Sequence, residues 1–177
     1  SHGYPVSGSD YGRLNISNSI TLEGEYGGDI ELNGVLTVEE NTHLYIKGNV
    51  DLINHASFTN YGDFTVTGDL YAGAKNHNVY NYGRLKCTNL TVNSDKAPNK
   101  TDFYNYGTLE LLGNLDIALY TNTSNFYMSG EDSVLMLKGN FNNNNTASIT
   151  DGTVILNGTK QQEIKNFGCH NLIVTNP

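Results

Sequence analysis

Tryptophan is absent from this chain, and proline occurs only three times. Apolar residues reach only 37%. That excludes one large hydrophobic core and favours a thin core renewed segment by segment, as in stacked repeats. Positive charge is also scarce. Ten Lys and Arg face eighteen Asp and Glu, for a formal charge of -8. This balance argues against nucleic acid and anionic membranes, which favour Lys/Arg patches. No apolar run approaches the roughly 18 residues of a membrane span, so no membrane insertion is expected.

Cysteine is nearly missing. Cys87 and Cys169 have no metal-ligand spacing and lie several repeats apart. Each repeat of a stacked sheet rises about 4.8 Å, whereas a disulfide needs Cα atoms within about 7 Å. No disulfide is therefore expected, and Cys87 reads as a small core hydrophobe. His2, His43, His55, His77 and His170 show no metal spacing. There is no Gly-x-Ser-x-Gly elbow and no phosphate loop. No metal or cofactor is expected.

What the chain does have is a recurring phrase. Asn105–Leu115 reads NYGTLELLGNL, Asn60–Leu70 reads NYGDFTVTGDL, and Asn81–Leu90 reads NYGRLKCTNL. Weaker copies occupy Ser129–Phe141 and Asp151–Gly158. The spacing of roughly 20 to 26 residues is that of stacked structural repeats. Residues 1–13 lack the pattern and read as a lead-in, a cap or a cloning remnant. Residues 14–177 read as one repeat domain, expected to be a piece of a larger protein.

Each repeat has three parts. The first alternates with period two and points a pair inward: Ile20/Leu22, Leu44/Ile46, Phe64/Val66, Leu85/Cys87, Leu109/Leu111, Leu135/Leu137 and Val154/Leu156. The second opens on a corner, usually Gly then Asp or Asn, before an apolar residue: Ile30, Val50, Leu70, Leu90, Leu115 and Phe141. Glycine there would supply a positive φ. Stacked in register, Asp29, Asn49, Asp69, Asn89, Asn114 and Asn140 would form a corner ladder. The third part presents the inward row Phe58, Val79, Phe103, Phe126 and Ile149, followed by a second polar ladder of Asn60, Asn81 and Asn105. Variable loops are expected at Ala72–Asn78, Asn93–Thr101 and Asn142–Ala147.

Three strands per turn, returning in the same order, predict an all-β fold. It is a right-handed, single-stranded parallel β-helix of about seven coils. A β-sandwich is the alternative, but a sandwich does not require the three-part phrase to return in order. The phrases resemble bacterial surface β-helix proteins of the filamentous-haemagglutinin-like adhesin class. The run Gly152–Ile164, GTVILNGTKQQEI, followed by Asn171–Val174, NLIV, looks like their coil phrase. That resemblance covers most of residues 16–176 and implies a secreted or cell-surface location.

Alternation points Tyr80, Tyr104 and Tyr127 outward in one row and Tyr61, Tyr82 and Tyr106 in the next. These six form the candidate ligand-binding face. Tyrosine offers a flat apolar ring and a hydroxyl at low entropic cost. The structural reading is a cross-strand aromatic ladder that merely stabilises the sheet. A third outward row, His43, Asp63, Arg84 and Thr108, invites a polysaccharide-lyase reading with Arg or Lys as base. Arg84 is one of only two arginines, however, and no carboxylate cluster surrounds it. Lys86 beside Glu110 reads as an ordinary pair, and Glu31 with Asp51 as oxygen ligands for a calcium ion that no acidic loop motif supports. The expected function is a non-enzymatic adhesin or stalk module. Its partner would be a glycan or a protein on a host or neighbouring cell, with self-association at open coil ends. The alternatives are a β-helical polysaccharide lyase or hydrolase, and a passive spacer of a secreted toxin.

Overall fold

The computed structural model describes residues 14–16, 20–73, 77–92, 101–118 and 125–176. The 1–13 segment, residues 74–76 of the expected Ala72–Asn78 loop and nearly all of the Asn93–Thr101 loop lie outside them, while Ala72, His77 and Asn78, expected in a loop, belong to strands. The described residues contain no helix. Their strands pair in parallel, which rules out the antiparallel sandwich.

Three sheets result. The first stacks eight strands: Leu14–Ile16, Ile30–Leu32, Val50–Leu52, Leu70–Ala72, Leu90–Val92, Leu115–Ile117, Phe141–Asn143 and Ile164–Lys165. The second stacks seven: Ile20–Thr21, Val35–Val38, Ser57–Asn60, His77–Asn81, Thr101–Asn105, Asn125–Met128 and Thr146–Ile149. The third stacks eight: Gly24–Tyr26, His43–Ile46, Asp63–Val66, Arg84–Cys87, Thr108–Leu111, Val134–Leu137, Thr153–Leu156 and Asn171–Val174. Successive strands visit the three sheets in rotation, except that Asn171–Val174 of the third sheet follows Ile164–Lys165 of the first directly. The chain is thus a parallel β-solenoid with three strands per coil.

Period-two alternation decides which side chains fill the interior. Ile30, Val50, Leu70, Leu90, Leu115 and Phe141 are successive Cα partners, and all are fully buried. Leu44, Phe64, Leu85, Leu109, Leu135 and Val154 form the matching column of the third sheet. Leu36, Phe58, Val79, Phe103 and Phe126 form that of the second. Each such side chain contributes about 1.5–3 kcal/mol by leaving water. Cys87 sits in the third-sheet interior, and both cysteines are free thiols.

Three expectations need correction. Ile20 pairs with Leu36 in the second sheet, not with the third-sheet column. That column begins at Gly24, opposite Leu44, because the chain turns at Gly24 with φ 94°. Ile149 is opposite Met128, and the smaller Ala147 takes the place opposite Phe126. The expected Asn142–Ala147 loop is mostly strand, with only Asn144 and Asn145 between Phe141–Asn143 and Thr146–Ile149.

Gly28 has the expected positive φ, 147°, but later corner glycines work differently. Gly48 is not among the positive-φ residues, which include Gly24, Gly28, Gly130 and Gly152. It is required because a Cβ there would collide with the Gly28 carbonyl one coil below. Gly83 meets the Gly62 carbonyl in the same way. Close stacking of corners, rather than backbone handedness, selects glycine at these places.

Candidate functional site

The face that carries the tyrosines is positioned by a buried amide ladder. Asn60, Asn81 and Asn105 point inward and are fully buried. Asn60 Nδ2 donates to Asn81 Oδ1 at 2.8 Å, and Asn81 Nδ2 donates to Asn105 Oδ1 at 2.8 Å. Spare amide hydrogens reach the carbonyls of Arg84 at 2.9 Å, Thr108 at 3.0 Å and Val134 at 3.1 Å. The ladder is bounded by apolar partners, Val38 beneath Asn60 and Met128 above Asn105. Buried amides left without partners would be costly, so the ladder enforces one register.

The corner ladder holds a second edge. Asp29 Oδ1 accepts the backbone N–H of Asn49 at 2.7 Å, and Asn49 Oδ1 accepts that of Asp69 at 2.8 Å. The pattern continues to the N–H of Asn114 on Asn89 Oδ1, and to that of Asn140 on Asn114 Oδ1. These side chains bond the next coil rather than their own turn.

With register fixed, alternation sends the tyrosines outward on both sides of the asparagines. Tyr80, Tyr104 and Tyr127 are successive Cα partners. Their rings stack at 5.1 Å and 4.8 Å between centroids, with interplanar angles of 17° and 13°. Tyr61, Tyr82 and Tyr106 form the second column, at 5.1 Å and 5.0 Å and both at 8°. The columns lie side by side, 6.2 Å apart at Tyr80–Tyr82 and 6.3 Å at Tyr104–Tyr106. All six residues expected at the site are therefore brought together.

The sequence did not show how the rings lie. They stack face to face, so an inner ring covers its own faces and presents its edge and hydroxyl to solvent. Tyr61, Tyr82 and Tyr106 keep 48%, 45% and 36% exposure, whereas Tyr80, Tyr104 and Tyr127 are half-buried. Burial raises the Tyr104 hydroxyl to a pKa of about 12, helped by the Asp102 charge and by Tyr127, Tyr80 and Tyr106. Burial also raises Tyr82, with Tyr106, Tyr61 and Tyr80 adding to the effect. These two hydroxyls remain protonated donors throughout the neutral range. The Tyr80 hydroxyl accepts from Asn78 Nδ2 at 2.8 Å.

On the third sheet, His43, Asp63, Arg84 and Thr108 do share one row. Arg84 Nη1 lies 3.7 Å from Asp63 Oδ2. Its shorter bond, however, goes to Glu110 Oε2 at 2.7 Å, which the sequence reading missed. Lys86 Nζ meets the other Glu110 oxygen at 3.0 Å. Burial pushes the Glu110 carboxyl up, but hydrogen bonds from Lys86 and Arg84, with their charges, more than offset this and hold it below its ordinary range. The signal for this pairing was the diagonal offset between Arg84 and Glu110 on neighbouring coils. Glu31 and Asp51 are Cα partners as expected, with Asp51 buried.

No family model, curated protein or solved structure matches the chain.

Proposed function

We propose that this chain is a non-enzymatic recognition module of a bacterial secreted or cell-surface protein, an adhesin segment or stalk. It engages a glycan or a protein on a host or neighbouring cell through the tyrosine face. The observation that supports this reading is the double column of six stacked rings on one sheet face. Stacking immobilises the rings before any ligand arrives, which lowers the ordering cost of binding. Because faces are covered, recognition runs through ring edges and hydroxyls repeating about every 5 Å along the axis. A linear polymer laid along the solenoid, with a sugar unit or an extended peptide segment per coil, matches that arrangement.

The same stacking also favours the spacer reading, in which the rings serve only one another. Binding to a glycan array and to intact cells separates the two. Tyr82→Ser with Tyr106→Ser removes two exposed rings and their contacts. If the module binds and this variant retains its circular dichroism but loses about tenfold or more in affinity, the recognition reading stands. Unchanged binding, or silence of the wild-type protein on every surface tested, favours the spacer.

A further inference from the structure

The column Tyr61–Tyr82–Tyr106 has an end with different chemistry. Tyr82 covers one face of the Tyr61 ring. The other face looks toward the preceding coil, where the turn from Glu39 to Thr42 carries no aromatic residue. A groove of about 500 Å³ opens there, with Glu40, Thr42, His43, Tyr61 and Asp63 among its walls. Its floor is tied down. Thr42 donates both its N–H, at 3.2 Å, and its hydroxyl, at 2.7 Å, to the Glu39 carbonyl. The Asp63 N–H donates to the Thr42 carbonyl at 2.9 Å.

Two carboxylates, Glu40 and Asp63, line the groove together with this ring. Asp63 Oδ2 lies 3.8 Å from His43 Nδ1 and 3.7 Å from Arg84 Nη1, both beyond hydrogen-bond length. Asp63 Oδ1 is buried and accepts no hydrogen bond, so only Oδ2 is open to the groove. Arg84, the nearest fixed cation, is drawn away by Glu110. Glu40 is exposed and has no ion-pair partner among the described residues. The open face of a phenol ring is itself the negative end of its quadrupole.

We propose that this groove binds an organic cation, an ammonium or guanidinium group seated on the open face of Tyr61 and paired with Glu40, with the half-exposed Asp63 adding negative charge at the wall. A cation over an aromatic face gains from the ring, and its charge, with any N–H it carries, compensates Glu40. A neutral sugar could lie on the same ring but would leave Glu40 without a counter-ion. The net charge of -8 steers cations toward the chain. Such a group could come from a free polyamine or from a lysine or arginine side chain on a partner protein. The site needs only one ring, so it does not depend on the rest of the tyrosine face binding anything.

The test is calorimetric titration of the whole chain with choline, with its uncharged isostere carrying tert-butyl in place of trimethylammonium, with spermidine, and with a lysine-containing peptide. Choline should bind saturably and its isostere at least about tenfold more weakly. Tyr61→Leu should weaken choline by about 2- to 30-fold, while Tyr61→Phe, which keeps the ring, should change it little. Glu40→Gln is an exposed substitution that cannot threaten the fold, and it should weaken every cation. Leu112→Ser, an exposed apolar residue outside the tyrosine face, should leave choline binding unchanged. A preference for spermidine or for the peptide identifies the source of the cation. The proposal is overturned if no cation binds saturably, if the isostere binds as well as choline, or if Glu40→Gln and Tyr61→Leu bind like wild type. A neutral glycan binding wild type and Glu40→Gln equally, with no cation binding, would assign the ring to sugar instead.

Discussion

Replacing Asn81 by valine interrupts the buried amide ladder at its centre. Asn81 Oδ1 accepts from Asn60, and its Nδ2 donates to Asn105 Oδ1 and the Thr108 carbonyl. Asn81→Val strips the Asn105 oxygen of its donor and one Asn60 N–H of its acceptor. Each buried orphan costs about 1–3 kcal/mol, so the variant should lose about 2–6 kcal/mol. Among the ladder amides, Asn60→Val orphans only the Asn81 oxygen; each variant also takes one donor from a backbone carbonyl, Arg84 for Asn60 and Thr108 for Asn81. The oxygen it removes, Asn60 Oδ1, has no partner to begin with, and Val38 already occupies the row below. Its cost should be about half that of Asn81→Val. Changing Asn60, Asn81 and Asn105 together to valine leaves no side-chain amide of this ladder behind. The triple variant should cost less than the sum of its singles, because amides removed together leave no orphaned amide, and only the carbonyls of Arg84, Thr108 and Val134 lose a donor. Urea unfolding followed by circular dichroism reads these differences, compared only where slopes match, since a solenoid can lose coils piecemeal. Asn81→Val no worse than Asn60→Val, or additive singles, would refute the reasoning.

Gly83→Ala should destabilise by about 1–3 kcal/mol or more, since its Cβ meets the Gly62 carbonyl, whereas Gly168→Ala, with open space around it, should stay within about 0.5 kcal/mol; thermal melts decide. Glu110→Gln should weaken the fold by about 1 kcal/mol near neutral pH by releasing Arg84 and Lys86. The folded-state pKa of Glu110 is depressed, so this difference is present above its unfolded value and should vanish as acid titrates the folded carboxyl. Tyr104 behaves in the opposite sense. Its raised pKa, about 12, means that its contribution is intact below the ordinary tyrosine value and lost as pH climbs toward 12. Phenolate absorbance in an alkaline titration should show a late-titrating tyrosine that Tyr104→Phe removes.

The stacking order was legible in the sequence because each repeat announces its corners. Asn-Tyr-Gly at 60, 81 and 105 and the Gly-Asp/Asn pairs fix where strands begin, and alternation fixes which side chains point in. Leu70, Leu90 and Leu115 fell into one column for that reason. Register failed where the punctuation was missing. The first repeat lacks the Asn-Tyr-Gly corner, so Ile20 was placed in the wrong sheet, and near Ile149 a small alanine held the inward slot that the larger residue seemed to claim. The six tyrosines could be assigned to one face by parity alone. Ring orientation could not, because it follows from coil spacing and neighbouring rings. Neither could the choice of Arg84 between Asp63 and Glu110, since both carboxylates are neighbours in sequence pattern and only side-chain reach separates them. The groove under Tyr61 escaped notice because Glu40 belongs to a turn outside the repeating phrase.

Everything above depends on neighbouring coils lying in parallel register. Thr37 and Thr59 are outward-facing Cα partners on adjacent coils, whereas Val35 is opposite Ser57. Stacked coils lie about 4.8 Å apart, inside the range that a disulfide spans. With Cys87 and Cys169 replaced by alanine, the pair Thr37→Cys/Thr59→Cys should close under mild oxidation, and the offset pair Val35→Cys/Thr59→Cys should stay reduced. An open Thr37/Thr59 pair, or a closed offset pair, would contradict the register on which the tyrosine columns and the amide ladder rest.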